Sequence, residues 1–273
     1  MSPPGRNANS VSESLPLLAS EDRANILGLG VSRLNLRLAV DTVERWIDRG
    51  ERHYVCVAAV HTVMACRRDP GLLKVCNRSG MTTPDGMPLV WLARRSGHPS
   101  VERVYGPDLL MALCDPAAAP RRRHYFFGGG PGVAGRLVDR LQTLFPALQI
   151  AGWLSPSYGP RLLEQDESST AAINDRAPDI VWVGLGTGTQ EHWMARNRPS
   201  LQAPVLIGVG AAFDFLSGVK PQAPRWMQRS GLEWLFRLMS EPRRLGPRYG
   251  QYPLFLLLLA GQQLGLRRYP MET

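Results

Sequence analysis

The sequence predicts an α/β fold in which a parallel sheet carries helices on both faces. Three observations predict it. Between Tyr54 and Val209, short β-branched and aromatic runs alternate with segments of helical spacing. Turns rich in glycine follow the runs ending at Phe127, Leu185 and Val209, and a fourth turn lies near Asp85. Ligands in such sheets sit at those strand ends. Beyond Gly218 the alternation stops and a basic, aromatic tail begins. The expected organisation is a disordered leader over residues 1–25, an α/β core over 26–218 and a basic, apolar C-terminal appendage over 219–273.

Each element has a local reason. The leader is rich in Ser, Pro and Asn and lacks the apolar stretch of a secretory signal. Leu34 to Ile47 places Leu34, Leu38, Val43 and Trp46 at helical spacing, and Gly50 ends the segment. Tyr54 to Val60 reads as a buried strand, and Thr62 to Asn77 as a helix with a break at Pro70. TTPDGMP reads as a turn, Leu89 to Arg95 as a helix, and RVYGPDLL as the entry to another. Then follow strand His124–Phe127, helix Val133–Phe145, strand Leu148–Trp153 and helix Arg161–Asn174. Strand Asp179–Leu185, helix Gln190–Arg196 and strand Val205–Val209 complete the alternation.

The chain of 273 residues carries a net charge of +9. From Ser217 onward there are nine Lys/Arg against three Asp/Glu, a net of +6. Such asymmetry points to an anionic partner (phospholipid, a diphosphate or nucleic acid), with a solvated basic face as the plainer alternative. No nucleic-acid recognition motif is present, so nucleic acid is not expected. Cys56, Cys66, Cys76 and Cys114 lack CxxC spacing and read as reduced cytosolic thiols. The longest apolar run, Leu254 to Ala260, is far short of the roughly 20 residues of a spanning helix. It suits a buried helix or one lying in a membrane interface.

The chemistry-bearing motifs fall on the turns. GPGVAG, Gly130 to Gly135, matches GxGxxG between a strand and a helix, where backbone N–H groups attract phosphate. The next strand, LQIAGW, ends without the acidic residue that holds a ribose, so an NAD site is not expected. A nucleotide diphosphate and a merely tight turn both remain open. Asp85 suits a general base or a cap of the following helix, and sequence physics favours the cap. Gln190 can hydrogen-bond a sugar or base, and Glu191 suits a helix start. Asp214 lies between Phe213 and Phe215, where a lone carboxylate needs a ligand or a partner. The five histidines have no metal-ligand spacing, and no DxD, GxSxG or Walker A motif occurs.

TPDGMPLVW, RVYGPDLL, FFGGGPGVA, PDIVWVGLGTGTQEHW, GVGAAFDFLSG and GLEWLFRL…EPRRL…RY follow one another at a spacing that resembles the WecG/TagA/CpsF glycosyltransferases, glycosyltransferase family 26. The resemblance runs from about Asn25 to about Tyr249. It implies a Rossmann-like core with a helical, membrane-engaging appendage. The implied reaction moves a sugar from a UDP-sugar to a polyprenyl-diphosphate-linked sugar at the cytoplasmic face of the membrane, in exopolysaccharide or other surface polysaccharide synthesis. The implied transfer is inverting, with no metal and no other cofactor. The resemblance makes Asp85 the general base. It places Arg103, Asp108, Gly128, Gly129, Gly130, Gln190, Glu191 and Asp214 on the donor, and Arg237, Arg244 and Arg248 on the acceptor diphosphate or an anionic membrane surface.

Two departures from the family pattern stand out. Many members have T-x-N after the first core strand, where this chain has Val57, Ala58 and Ala59, followed by His61. This argues against N-acetylmannosamine as donor sugar and leaves room for glucose, as in the xanthan-type glucosyltransferases of the family. It also leaves open a non-catalytic nucleotide-sugar-binding protein at the membrane, and His61 as a sharer of base duty or a structural residue. Gly188 stands where a proline is common and is expected only to loosen its turn. A homo-oligomer stays open as a partner.

Overall fold

The computed structural model describes residues 23–117, 122–156 and 167–272. The chain enters through a hairpin that the sequence did not announce, β1 (Arg23–Ile26) antiparallel to β2 (Leu29–Ser32). Its two-residue turn has φ of +52° at Leu27 and +93° at Gly28, the twist that favours tight hairpins. Arg23 to Asn25 therefore belong to a strand rather than to the expected leader, whose residues 1–22 lie outside the described residues.

Helix α1 (Leu36–Asp48) starts where the Asn35 side chain accepts a hydrogen bond from the Leu38 N–H at 2.9 Å. Strand β3 (His53–Ala58) follows, then α2 (Val60–Arg68) and α3 (Pro70–Asn77), which break at Pro70. Asp69 caps the second of these by accepting from the Leu72 N–H. The first part of the expected TTPDGMP turn is a strand, β4 (Met81–Pro84), followed by α4 (Met87–Arg95) and α5 (Gly106–Cys114). Strand β5 (Arg123–Gly128), α6 (Val133–Leu144) and β6 (Gln149–Leu154) come next. Helix α7 spans Glu167–Asn174, and the expected start of that helix at Arg161 lies outside the described residues. Strand β7 (Ile180–Gly184), α8 (Thr189–Asn197), β8 (Val205–Gly208) and α9 (Ala212–Leu216) finish the alternation.

The six strands β3 to β8 form one parallel sheet in the order β4-β3-β8-β7-β5-β6. Alternate side chains leave opposite faces of a strand, and two cores result. Phe127, Val183 and Leu206 pack with Val63, Leu72 and Trp193 on one face. Phe126, Trp182 and Ile207 pack with Val43, Leu109 and Leu137 on the other. The central strands β7 and β8 are apolar and buried throughout because both faces are covered.

The tail adds α10 (Arg225–Arg229), α11 (Glu233–Ser240), α12 (Pro242–Tyr249) and α13 (Tyr252–Gln263). It is packed onto the core. Phe255 and Tyr269 are buried in the first of the two cores, the Gln262 side chain accepts from the Leu27 N–H at 3.0 Å, and Asn77 donates to the Glu272 carbonyl at 2.9 Å. Gly218 thus ends the strand–helix alternation without ending the packed body. Among the described residues, no helix is long and apolar enough to cross a membrane.

Candidate active site

The carboxyl ends of β3, β4, β5, β7 and β8 open into one cavity of about 430 Å³. Asp85 enters it from the turn after β4, Gly129 and Gly130 from the turn after β5, Thr187 from the turn after β7 and Gly210 from the turn after β8. The tail closes the far side with Arg237 of α11 and Arg244 and Arg248 of α12. A smaller cavity adjoins it, shares His61, Asp85 and Arg237 with it, and continues toward Trp234 and Tyr252. Asp85 therefore stands where the two cavities meet.

The Asp85 carboxylate does not cap α4, the helix that follows it. The N-cap of α4 is Gly86, without a side-chain cap, and Asp85 Oδ1 instead accepts from the Gly106 N–H at 3.3 Å. Burial raises the Asp85 carboxyl to about 6, with Arg103 opposing the shift and Glu233 adding to it. A carboxylate held there is ionised at neutral pH yet basic enough to take a proton.

Arg103 is not free to reach a diphosphate. Its guanidinium donates to the main-chain carbonyls of Asp85 and Gln228 and pairs with Glu233, and it does not line the larger cavity. Asp108 faces Arg225 across 3.4 Å and lines a separate groove with Met111 and Leu144. Gly128 also lies outside the cavity lining. At φ +125°, a Cβ there would come within 2.6 Å of the Gly184 backbone, so its role is close strand packing. Glu191 is fully buried: its Oε2 accepts from the Gly188 N–H at 2.6 Å and its Oε1 from the Gln190 side chain at 3.0 Å. It shapes the turn and does not line the cavity.

Gln190 does line the cavity, and its Oε1 is buried without a hydrogen-bond partner among the described residues. Asp214 lines it as well, paired with Lys220 at 2.7 Å. Lys220 also reaches Glu241 at 3.2 Å, and the sequence reading had no signal for it beyond a lone lysine after the FDF motif. Burial, then the Arg237 charge, lower the Arg248 guanidinium. His61 holds Thr187 Oγ1 at 3.0 Å, and burial together with Arg248 and Arg237 keeps its imidazole well below its ordinary value. A neutral His61 serves hydrogen bonding here. Gly188 has φ +89° and ψ −58°, a φ closed to proline, so this turn differs in conformation from a proline-bearing one. Among the described residues, no group of three or more His, Cys, Asp or Glu is placed to hold a metal ion.

The arrangement brings one basic carboxylate, glycine-rich turns and a cluster of cations to one opening. It can remove a proton from a hydroxyl while stabilising a multiply charged anion. Comparison with known proteins agrees in class. The profile described as "Glycosyl transferase WecG/TagA/CpsF family" matches residues 24–269. The chain is similar to the N-acetylglucosaminyldiphosphoundecaprenol N-acetyl-beta-D-mannosaminyltransferase of Bacillus subtilis (strain 168), at 31% identity over 77% of this chain and 83% of that relative. Proteins of the same name from Bacillus spizizenii and Staphylococcus aureus (strain MW2) are 28% and 23% identical, over 73% and 88% of this chain and 76% and 95% of the relatives.

Proposed function

The chain belongs to the WecG/TagA/CpsF family of glycosyl transferases, and from that premise we propose that it moves a sugar from a UDP-sugar to a polyprenyl-diphosphate-linked sugar, with Asp85 as general base. The observation that carries this reading is the position of Asp85 at the junction of a cation-rich cavity and a smaller aromatic one. The nucleotide sugar occupies the first and the acceptor hydroxyl arrives from the second. Asp85 takes the hydroxyl proton as the acceptor oxygen attacks the anomeric carbon. The bond from that carbon to the UDP oxygen breaks on the opposite face, which inverts the centre. UDP leaves with its charge held by Lys220, Arg237, Arg244 and Arg248 and by N–H groups of the glycine turns. No metal is assigned a part.

Val57 and Ala59 offer no side-chain hydrogen bond where many members have Thr and Asn, and they line the two cavities. This favours a donor without an N-acetyl group, such as UDP-glucose. The names of the relatives make N-acetylmannosamine the competing donor. The proposed working place is the inner face of the cytoplasmic membrane. Leu256, Leu257, Leu264 and Leu266 are exposed along α13 and just beyond it, beside Arg267 and Arg268, a mixture suited to an anionic interface.

The test is turnover of UDP-glucose, UDP-N-acetylmannosamine, UDP-N-acetylmannosaminuronate and UDP-glucuronate against polyprenyl-diphosphate-linked acceptors, read as UDP release and lipid-product mass. Product from one donor is expected. UDP binding without product from any donor would replace this reading with that of a non-catalytic nucleotide-sugar-binding protein.

A further inference from the structure

We propose that Glu233, carried on the tail helix α11, is a positioning residue for Asp85 and acts through the guanidinium of Arg103. The inference rests on the reading of Asp85 as general base. Arg103 is anchored by main-chain acceptors, the carbonyls of Asp85 and Gln228. Its remaining charged edge then has two carboxylates to choose between. Its Nη2 lies 2.5 Å from Glu233 Oε2 and 3.8 Å from Asp85 Oδ1. Glu233 is itself fixed, because the Tyr105 hydroxyl donates to its Oε1 at 3.2 Å and the guanidinium lies 4.1 Å over the Tyr105 ring. The Arg103, Glu233 and Asp85 side chains are 15%, 13% and 20% exposed, so water screens these charges weakly.

A carboxylate gripped by a guanidinium loses proton affinity, and a base weakened in that way transfers protons poorly. Glu233 limits this in two ways, by drawing Arg103 to itself and by adding a negative charge. The other groups facing Asp85 pull the opposite way or are neutral. Arg237 of α11 lowers its proton affinity, and the Gly106 N–H hydrogen bond does the same. His61 is held neutral, and Tyr252 of α13 is kept in its phenol form by burial. Glu233 is the carboxylate among them. Because it belongs to the tail, docking of the tail and strength of the base are linked: a displaced α11 leaves Arg103 to Asp85.

The experiment is a carboxyl-carbon NMR titration of full-length protein labelled at aspartate, with the Asp85 signal assigned by its loss in Asp85→Asn, alongside pH profiles of transfer. Glu233→Gln is expected to lower the Asp85 midpoint by about one unit, a tenfold loss of proton affinity. It should also move the acid limb of the rate profile the same way and leave UDP affinity unchanged. Tyr105→Phe, which frees Glu233 from one donor only, should shift the midpoint in the same direction by less. In an Arg103→Gln background the Glu233→Gln step should shrink. An Asp85 midpoint unmoved in folded Glu233→Gln would overturn the proposal, and an undiminished step in the Arg103→Gln background would overturn the route through Arg103. Retained transfer by Asp85→Asn would instead remove Asp85 as base, and the titration would still judge the coupling.

Discussion

Lys220 Nζ stands 2.7 Å from the Asp214 carboxylate and 3.2 Å from that of Glu241, so one cation ties α9 to the start of α12. Asp214 and Lys220 line the cation-rich cavity. On the proposed reading, a bound diphosphate would compete with these two carboxylates for the ammonium. Lys220→Gln should therefore weaken UDP binding by about 1.5 kcal/mol, roughly tenfold in Kd. It should also lower the melting temperature, because Asp214 and Glu241 lose their shared partner. Calorimetric titration with UDP and a thermal melt check both. An unchanged Kd would place the diphosphate elsewhere in the cavity.

Asp85→Asn should reduce kcat by about 10²- to 10⁴-fold, the range of a general base, without loss of the fold. The wild-type rate should fall as pH drops through about 6, because the base must be ionised. Stability runs the other way. The folded carboxyl holds its proton to higher pH than the unfolded one, so the fold carries a penalty that grows as pH rises above the ordinary carboxyl value of 3.8 and is complete above about 6. The asparagine variant should melt above the parent at pH 8 and level with it near pH 4. An advantage at pH 4 that vanishes at pH 8 would contradict the assigned shift.

Arg103→Lys keeps the charge and removes the planar fork. The carbonyls of Asp85 and Gln228 and the Glu233 carboxylate cannot all be served by one ammonium. The variant should lose about 1–3 kcal/mol of stability and most of its kcat, while UDP affinity stays near that of the parent. A large loss of UDP affinity with an unchanged melt would restore Arg103 as a donor contact.

Strands β3, β5, β6, β7 and β8 and the place of the ligand turns were legible because a covered sheet writes apolar runs punctuated by turns, whereas β4, with two threonines and a proline in four residues, read as part of a turn. Asp85, Gly130, Gln190 and Asp214 stood out on or near those turns, Gly129 came through the family resemblance, and all five line one cavity. Charge alone could not tell cations committed to internal partners from those facing the opening. Arg103 and Arg237 are both arginines in motif-rich segments, and only the fold shows that the first serves carbonyls and Glu233 while the second lines the larger cavity. The β1–β2 hairpin was missed because Leu27-Gly28 is a weak turn signal beside Asn-Gly. For Leu254–Ala260 a buried and an interfacial helix were both open, and the sequence could not choose because Phe255 is the single buried residue of α13, which has no clean amphipathic period; the second anchor, Tyr269, lies beyond the helix.

That packing decides how the proposed membrane attachment must be tested. Deleting residues from Ser230 onward removes Phe255 and Tyr269 from a core and exposes it, so truncation confounds attachment with unfolding. Surface variants avoid this. Leu256 and Leu257 are 63% and 69% exposed on α13, and burying such side chains in an interface is worth about 1.5–3 kcal/mol each at most. Leu256→Ser with Leu257→Ser should cut binding to both neutral and anionic vesicles by roughly tenfold or more. Arg267→Gln with Arg268→Gln should cut binding to anionic vesicles alone, at about 1 kcal/mol per arginine, and should flatten the loss of binding with added salt. UDP affinity should hold in all four substitutions, since none of these residues lines the cavity. Vesicle sedimentation reads the result. Leucine variants that bind neutral vesicles as the parent does would remove α13 as the apolar contact and leave attachment to charge alone.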